Sequence, residues 1–230
     1  MKILGIIGGI APGSTVEYYR LLVEGWRKRT AGYPPILINS IDLDRVLRLV
    51  AEKAFDELVA YLGVELERLA RAGAQLALLA SNTPHIVFDR LSAGSRLPLL
   101  SIVEATGDAA AALGVKRAGL FGTRSTMQGS FYPEAFSRRG IALVTPTDDE
   151  QIYIHGKYTA ELVNGVFSSD TRDRILRIAD RMKEEDGMDG LILGGTELPL
   201  LLRGDSHCAM PMLDTTRIHV AAALESMLAA

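Results

Sequence analysis

The sequence predicts an α/β protein of two pseudo-symmetric lobes, each a mostly parallel sheet flanked by helices, with a site in the cleft between lobes. Three observations carry this. Short apolar runs rich in branched residues alternate with amphipathic stretches of helix length, the pattern of parallel strands joined by crossover helices. Two strand-plus-glycine elements, Gly5-Ile6-Ile7-Gly8 and Gly119-Leu120-Phe121-Gly122, open the two halves. Each is followed at one spacing by a strand-end motif. Ser81 lies 81 − 8 = 73 positions after Gly8, and Gly195 lies 195 − 122 = 73 positions after Gly122. The common offset, 122 − 8 = 114, suggests two copies of one unit, each offering a strand-end residue to a shared substrate.

Strands are expected at Ile3–Ile7, Ile36–Ser40, Leu76–Ala80, Leu99–Ile102, Gly119–Phe121, Ala142–Thr145 and Leu191–Gly194. Helices are expected at Thr15–Thr30, Ala54–Ala72, Glu104–Leu113, Gln151–Phe167, Thr171–Glu185 and Thr215–Leu228. The second of these shows why: Phe55, Leu58, Val59, Leu62, Leu66 and Leu69 recur at steps of three and four, so they share one helix face. Ser14 followed by Glu17 reads as a capping box at the first helix start. Gly114, before Val115-Lys116-Arg117, reads as a helix stop and turn into the second half. The first lobe is therefore placed at residues 1–100, joined by the C-terminal helix at about 213–230, and the second at 101–212.

With 230 residues and 48% hydrophobic content, the chain is long enough for two modest cores. A formal charge of −3 with scattered basic residues gives no footprint for nucleic acid or an anionic membrane. No apolar run reaches bilayer-spanning length, and Met1–Ile10 reads as a strand rather than a signal peptide. Cys208, the single cysteine, excludes an internal disulfide and suits a reducing cytoplasm. The four histidines, His85, His155, His207 and His219, show no metal-ligand spacing, so no metal is expected.

Candidate site residues sit at the predicted strand ends, where open α/β sheets place ligands. Gly8-Gly9-Ile10 leads into the first helix without the Gly-Lys-Ser/Thr of a phosphate loop. The backbone at Gly9 and Ile10 can approach a carboxylate, or the loop is simply a tight turn. Asn82 and Thr83 after one strand, and Thr196 and Glu197 after another, offer donors and acceptors for a small carboxylate. Thr123 holds the equivalent place in the second half, with helix capping as the alternative. Arg45 either clamps a substrate carboxylate or pairs with Asp42 or Asp44. Lys157 reads first as a solvated helix residue. His85, four residues after Ser81, either braces the loop or acts as a base.

The whole chain resembles the aspartate/glutamate racemase family of cofactor-independent amino-acid racemases. The likeness rests on Gly5-Ile6-Ile7-Gly8-Gly9, Ser14-Thr15 with Tyr18-Tyr19, Asn82-Thr83-Pro84-His85, and Phe121-Gly122-Thr123-Arg124 with Thr126-Met127. It continues through Gly194 with Thr196-Glu197-Leu198-Pro199 and Asp214-Thr215-Thr216 with His219. The resemblance implies no PLP, no metal and a homodimer. It also implies cysteines at the positions of Ser81 and Gly195, one thiolate removing the Cα proton and the other thiol returning one to the opposite face. A serine hydroxyl is a far poorer acid than a thiol and glycine has no side chain, so the two-thiol mechanism cannot operate here. The resemblance further assigns Arg45 to a distal carboxylate and Ser81, Asn82, Thr83 and Thr196 to carboxylate-binding loops. A family lysine before the glycine at Gly165 appears as Asn164; Lys157, seven positions earlier, would share its helix face and is the expected substitute.

Two functional readings follow. In one, the chain is an isomerase of an acidic amino acid or small dicarboxylate, moving a Cα proton with Ser81 assisted by His85, with Glu197, or with a pocket water. In the other it binds a small carboxylate without turnover, or carries out one-sided exchange, decarboxylation or elimination.

Overall fold

The structure, a computed structural model, describes residues 1–10, 12–202 and 210–229. The chain runs β1 (Leu4–Gly8), α1 (Pro12–Arg27), β2 (Ile36–Ser40), α2 (Leu43–Ala51), α3 (Phe55–Arg71), β3 (Leu76–Leu79), a 3-10 turn (Thr83–Val87), α4 (Phe88–Gly94) and β4 (Leu99–Leu100). It continues through α5 (Ile102–Ala112), β5 (Arg117–Gly122), α6 (Arg124–Gln128), α7 (Phe131–Ser137), β6 (Ala142–Val144) and α8 (Asp148–Ala160). After a 3-10 turn (Leu162–Asn164) come α9 (Ser169–Glu185), β7 (Gly190–Gly194), α10 (Leu198–Leu201), β8 (Met212–Asp214) and α11 (Thr215–Leu228).

Two compact units result: Met1–Ile102 together with the chain from Thr216 onward, and Val103–Thr215. Each holds a four-stranded sheet, ordered β2-β1-β3-β4 in the first and β6-β5-β7-β8 in the second, with every pairing parallel. The strand order is therefore the same in both units, in keeping with the repeated spacing in the sequence.

The continuous apolar runs have a direct cause. In the first unit Ile7, Ala77 and Leu79 face a core built with α2 and α3, while Leu4, Ile6, Leu76 and Leu78 face a second core built with α1 and α11. Alternate residues of each central strand thus enter different cores, and both faces must be apolar. In the second unit Phe121, Leu191 and Leu193 pack against Ile154 and Leu162, and against Ile175, Ile178 and Met182 of α9. No helix of the described residues is long and apolar enough to cross a membrane.

Several local expectations change. The helix expected over residues 151–167 starts at Asp148 and ends at Ala160; a 3-10 turn follows and Gly165 closes it with φ +75°. Left-handed backbone is cheap only for glycine, and Val166 and Phe167 beyond it are exposed, so continuing the helix would bury nothing there. The Ser14–Glu17 capping box is also corrected: α1 begins at Pro12, so Ser14 lies inside the first turn, and Glu17 accepts hydrogen bonds from Arg20. Strand β8 and the short helices α2, α4, α6, α7 and α10 had no expectation. Cys208 and His207 lie outside the described residues.

Candidate active site

In the first unit the end of β1 turns on Gly9, at φ +83°. A Cβ there would meet the Ile41 carbonyl oxygen at 2.5 Å and the Ile41 nitrogen at 2.8 Å, so the two backbones approach too closely for any side chain. The Gly9 N–H donates to Thr15 Oγ1 at 2.8 Å, and Ile10 is buried in the apolar core. Both residues serve the turn; the Gly9 amide expected to meet a ligand is committed within the chain.

Ser81 follows β3 and is half-buried; Asn82, Thr83 and His85 are buried. His85 Nδ1 donates to the Ser81 carbonyl at 3.0 Å, and its Nε2 accepts the Ile102 N–H at 3.2 Å. A ring nitrogen that accepts an amide proton carries none, which fixes the neutral Nδ1–H tautomer. Burial, reinforced by neighbouring His219, lowers the pKa of His85 to about 3. With both nitrogens held by backbone, His85 has no lone pair left for the Ser81 hydroxyl. The expectation that it assists Ser81 as a base is therefore corrected: it braces the loop. His219 is held likewise, accepting from Tyr18 Oη at 2.9 Å and donating to the Leu100 carbonyl at 3.0 Å.

Arg45 lies in the first turn of α2. Asp42 caps that helix by accepting the Arg45 N–H at 3.1 Å, so its carboxylate bonds the backbone rather than the guanidinium. The exposed guanidinium instead lies over the Tyr61 ring, 4.2 Å from its centre, and makes no ion pair with a described residue. Tyr61 Oη accepts the Asp42 N–H at 3.2 Å, tying the ring to the same turn. A guanidinium seated over an aromatic face keeps N–H groups for a further partner.

In the second unit Thr123 caps α6, its Oγ1 accepting the Thr126 N–H at 3.3 Å. Lys157 donates to Glu161, which raises its pKa, and Asn164 lies in a separate turn beyond α8. The shared-face argument for Lys157 as a replacement for the family lysine is thus corrected, because no helix joins positions 157 and 164.

The densest chemistry follows β7, where Gly194 to Glu197 are all buried. Glu197 Oε2 accepts Thr196 Oγ1 at 2.7 Å and the phenol of Tyr158. Burial and then the Glu197 carboxylate push the Tyr158 phenol well above its ordinary range, so it stays protonated and donates. A Cβ at Gly195 would fall 2.8 Å from Tyr158 Oη and 2.9 Å from its Cζ, closer still to Cε2. Tyr158 thus fills the space of a side chain at position 195. Sequence reasoning missed it: with Gln151 and Ile154 it reads as the buried face of α8, and its adjacency to a strand end 37 residues later (195 − 158) leaves no local signal.

The family model described as Asp/Glu/Hydantoin racemase matches residues 7–223, and the chain belongs to that family. It is 33% identical to a candidate Asp/Glu racemase from Yersinia pestis of known structure, over 100% of both chains, with a TM-score of 0.91. An aspartate racemase homologue from Pyrococcus horikoshii OT3 is 31% identical, over 99% of each chain, with a TM-score of 0.86. A glutamate racemase from Francisella tularensis, solved with D-glutamate, shares the fold at 13% identity and a TM-score of 0.67, over 99% of this chain and 81% of its own.

Proposed function

We propose that this chain is an isomerase that moves the Cα proton of an acidic amino acid or related small dicarboxylate without a cofactor. The observation that carries the reading is the buried Glu197 carboxylate at the end of β7, held by Thr196 and Tyr158, in a member of a racemase family. A carboxylate kept from water and fixed by two donors is a preorganised proton acceptor, and positioned general bases contribute roughly 10²–10⁴-fold to such steps. Arg45, stacked on Tyr61 without a carboxylate partner among the described residues, supplies a cation for a second substrate carboxylate. Asn82, Thr83, Thr123 and Thr196 supply neutral polar groups. The D-glutamate bound by the Francisella tularensis protein supports the substrate class.

Ser81 is the corresponding group of the first unit. Its hydroxyl has no base in His85, so proton removal is assigned to the Glu197 side and exchange is expected to be faster with one enantiomer. The reading includes a cytoplasmic homodimer, the dimer to be checked by light scattering.

Proton NMR in D₂O with each enantiomer of aspartate and glutamate tests the proposal. Loss of the Cα–H signal is expected with at least one of the four. Unchanged signals in all four would remove the isomerase reading for these substrates.

A further inference from the structure

We infer that Tyr158 is the group that exchanges the proton with the substrate Cα on the second unit's side, and that Glu197 acts through it. The inference rests on the isomerase reading above and adds a residue to it.

Three features carry the assignment. First, Gly195 directly follows β7, an inner strand of a parallel sheet, at the strand end where open α/β sheets bind ligands, and it has no side chain of its own. Second, the ring of Tyr158 takes up the space a side chain there would need, with Oη 2.8 Å from the ideal Cβ position. The phenol therefore stands in the direction in which residue 195 would present a reacting atom. Third, the phenol is coupled to a carboxylate. Glu197 Oε2 already accepts from Thr196 and Tyr158, so the same oxygen that holds the phenolic proton can take it.

The step balances without a further reagent. The substrate Cα–H bond breaks and its electron pair stays on Cα, delocalised into the substrate carboxylate. The proton bonds to Tyr158 Oη as the phenolic proton passes to Glu197 Oε2. Running backwards, the carboxylic acid returns its proton to the phenol oxygen while the phenol protonates Cα. A buried phenol is a weak base alone; the carboxylate behind it takes up the charge change, as a base behind a hydroxyl does in nucleophilic enzymes.

The test uses the full chain, with Cα–H exchange in D₂O read by NMR for whichever enantiomer the wild type exchanges. Tyr158→Phe keeps the ring that fills the space beside Gly195 and removes only the hydroxyl. Exchange is expected to fall by about 100-fold or more, with the apparent KM changed only a few-fold, because the loss lies in proton transfer. Glu197→Gln is expected to fall similarly. Should Tyr158→Phe fail to fold, 3,5-difluorotyrosine placed at position 158 preserves shape and makes the phenol more acidic, and a rate change of several-fold is expected.

Wild-type exchange with an unchanged rate in Tyr158→Phe, or in the fluorinated protein, overturns this inference while leaving the isomerase reading in place; Glu197 would then act directly. Absence of exchange in the wild type overturns the isomerase reading, and this inference falls with it.

Discussion

His85 and His219 meet edge to face, ring centres 6.3 Å apart and planes at 75°, in the buried interior of the first unit. One serves as an acceptor for the Ile102 amide and the other for the Tyr18 hydroxyl, so each must remain neutral for its bonds to persist. Burial lowers His85 to about 3, with His219 adding to the shift, and burial lowers His219 to about 4.

This arrangement predicts acid sensitivity between pH 7 and 5. An unfolded histidine takes up a proton near pH 6.5, whereas the folded ones do not until about 4 and 3. Their stabilising effect is therefore complete above pH 6.5 and is lost progressively as pH falls toward the folded values. The linkage amounts to about 2 kcal/mol per histidine between pH 7 and pH 5. Urea unfolding at the two pH values measures it. A His85→Gln/His219→Gln protein should show a much smaller difference, and equal wild-type stability at both pH values would contradict the two neutral assignments.

Gly9→Ala is expected to be among the most damaging single-methyl additions in the first unit. The residue combines φ +83° with a Cβ position 2.5 Å from a backbone oxygen, and neither the Ile41 carbonyl nor the Ile41 amide can swing away as a side chain would. A loss of about 2–4 kcal/mol follows, lowering Tm by about 5–15 °C for a chain of this size. Gly13→Ala is the control, since nothing lies within 4 Å of its Cβ position. Equal melting of the two variants would show that the turn relaxes.

Gly195→Ala tests a close approach of a different kind. Here the obstructing atoms belong to the Tyr158 ring, which is buried and held by Glu197, so it yields less readily than a surface side chain. Overpacking of this kind costs about 1–3 kcal/mol. Combining Gly195→Ala with Tyr158→Ala should recover less than additive loss, because the smaller residue vacates the space. Strict additivity in thermal melts would mean that the two positions do not compete for it.

What the sequence made legible was whatever repeats along the chain. The strand at 191–194 and the helix at 55–71 are plain, because a buried parallel strand shows as a short apolar run and an amphipathic helix repeats its buried leucines at steps of three and four. The end of α8 is hidden in the sequence, since Val166 and Phe167 look like helix core residues while the left-handed Gly165 closes the turn before them. Short elements such as β8 are too brief to show a period. In the site, Thr196 and Glu197 were visible as a strand-end pair, yet Tyr158 and Tyr61 were not. Their importance comes from contacts with Glu197 and Arg45, which are distant in sequence, and an aromatic residue on a helix face reads as core filling. His85 was ambiguous for the opposite reason: its residue type advertises chemistry, and only its two backbone partners reveal that it is structural.

Arg45 leads to a prediction about substrate class. Its guanidinium is stacked on Tyr61, exposed, and without an ion pair to a described residue, an arrangement suited to a ligand carboxylate approaching the edge of the plane. A hydrogen bond to a charged group contributes about 1.5–3 kcal/mol, so Arg45→Ala should weaken binding of succinate, a dicarboxylate without a reacting amine, by roughly 10- to 100-fold. Arg45→Lys retains the charge but loses the flat stacking face and the two-point edge, and should recover only part of the affinity. Tyr61→Leu, which leaves the arginine in place but removes its support, should weaken succinate binding less than Arg45→Ala does. Isothermal titration with succinate and with acetate separates the contributions: the ratio of the two affinities should collapse in Arg45→Ala. A wild-type ratio preserved in that variant would assign the second carboxylate to another group and leave Arg45 as a surface cation.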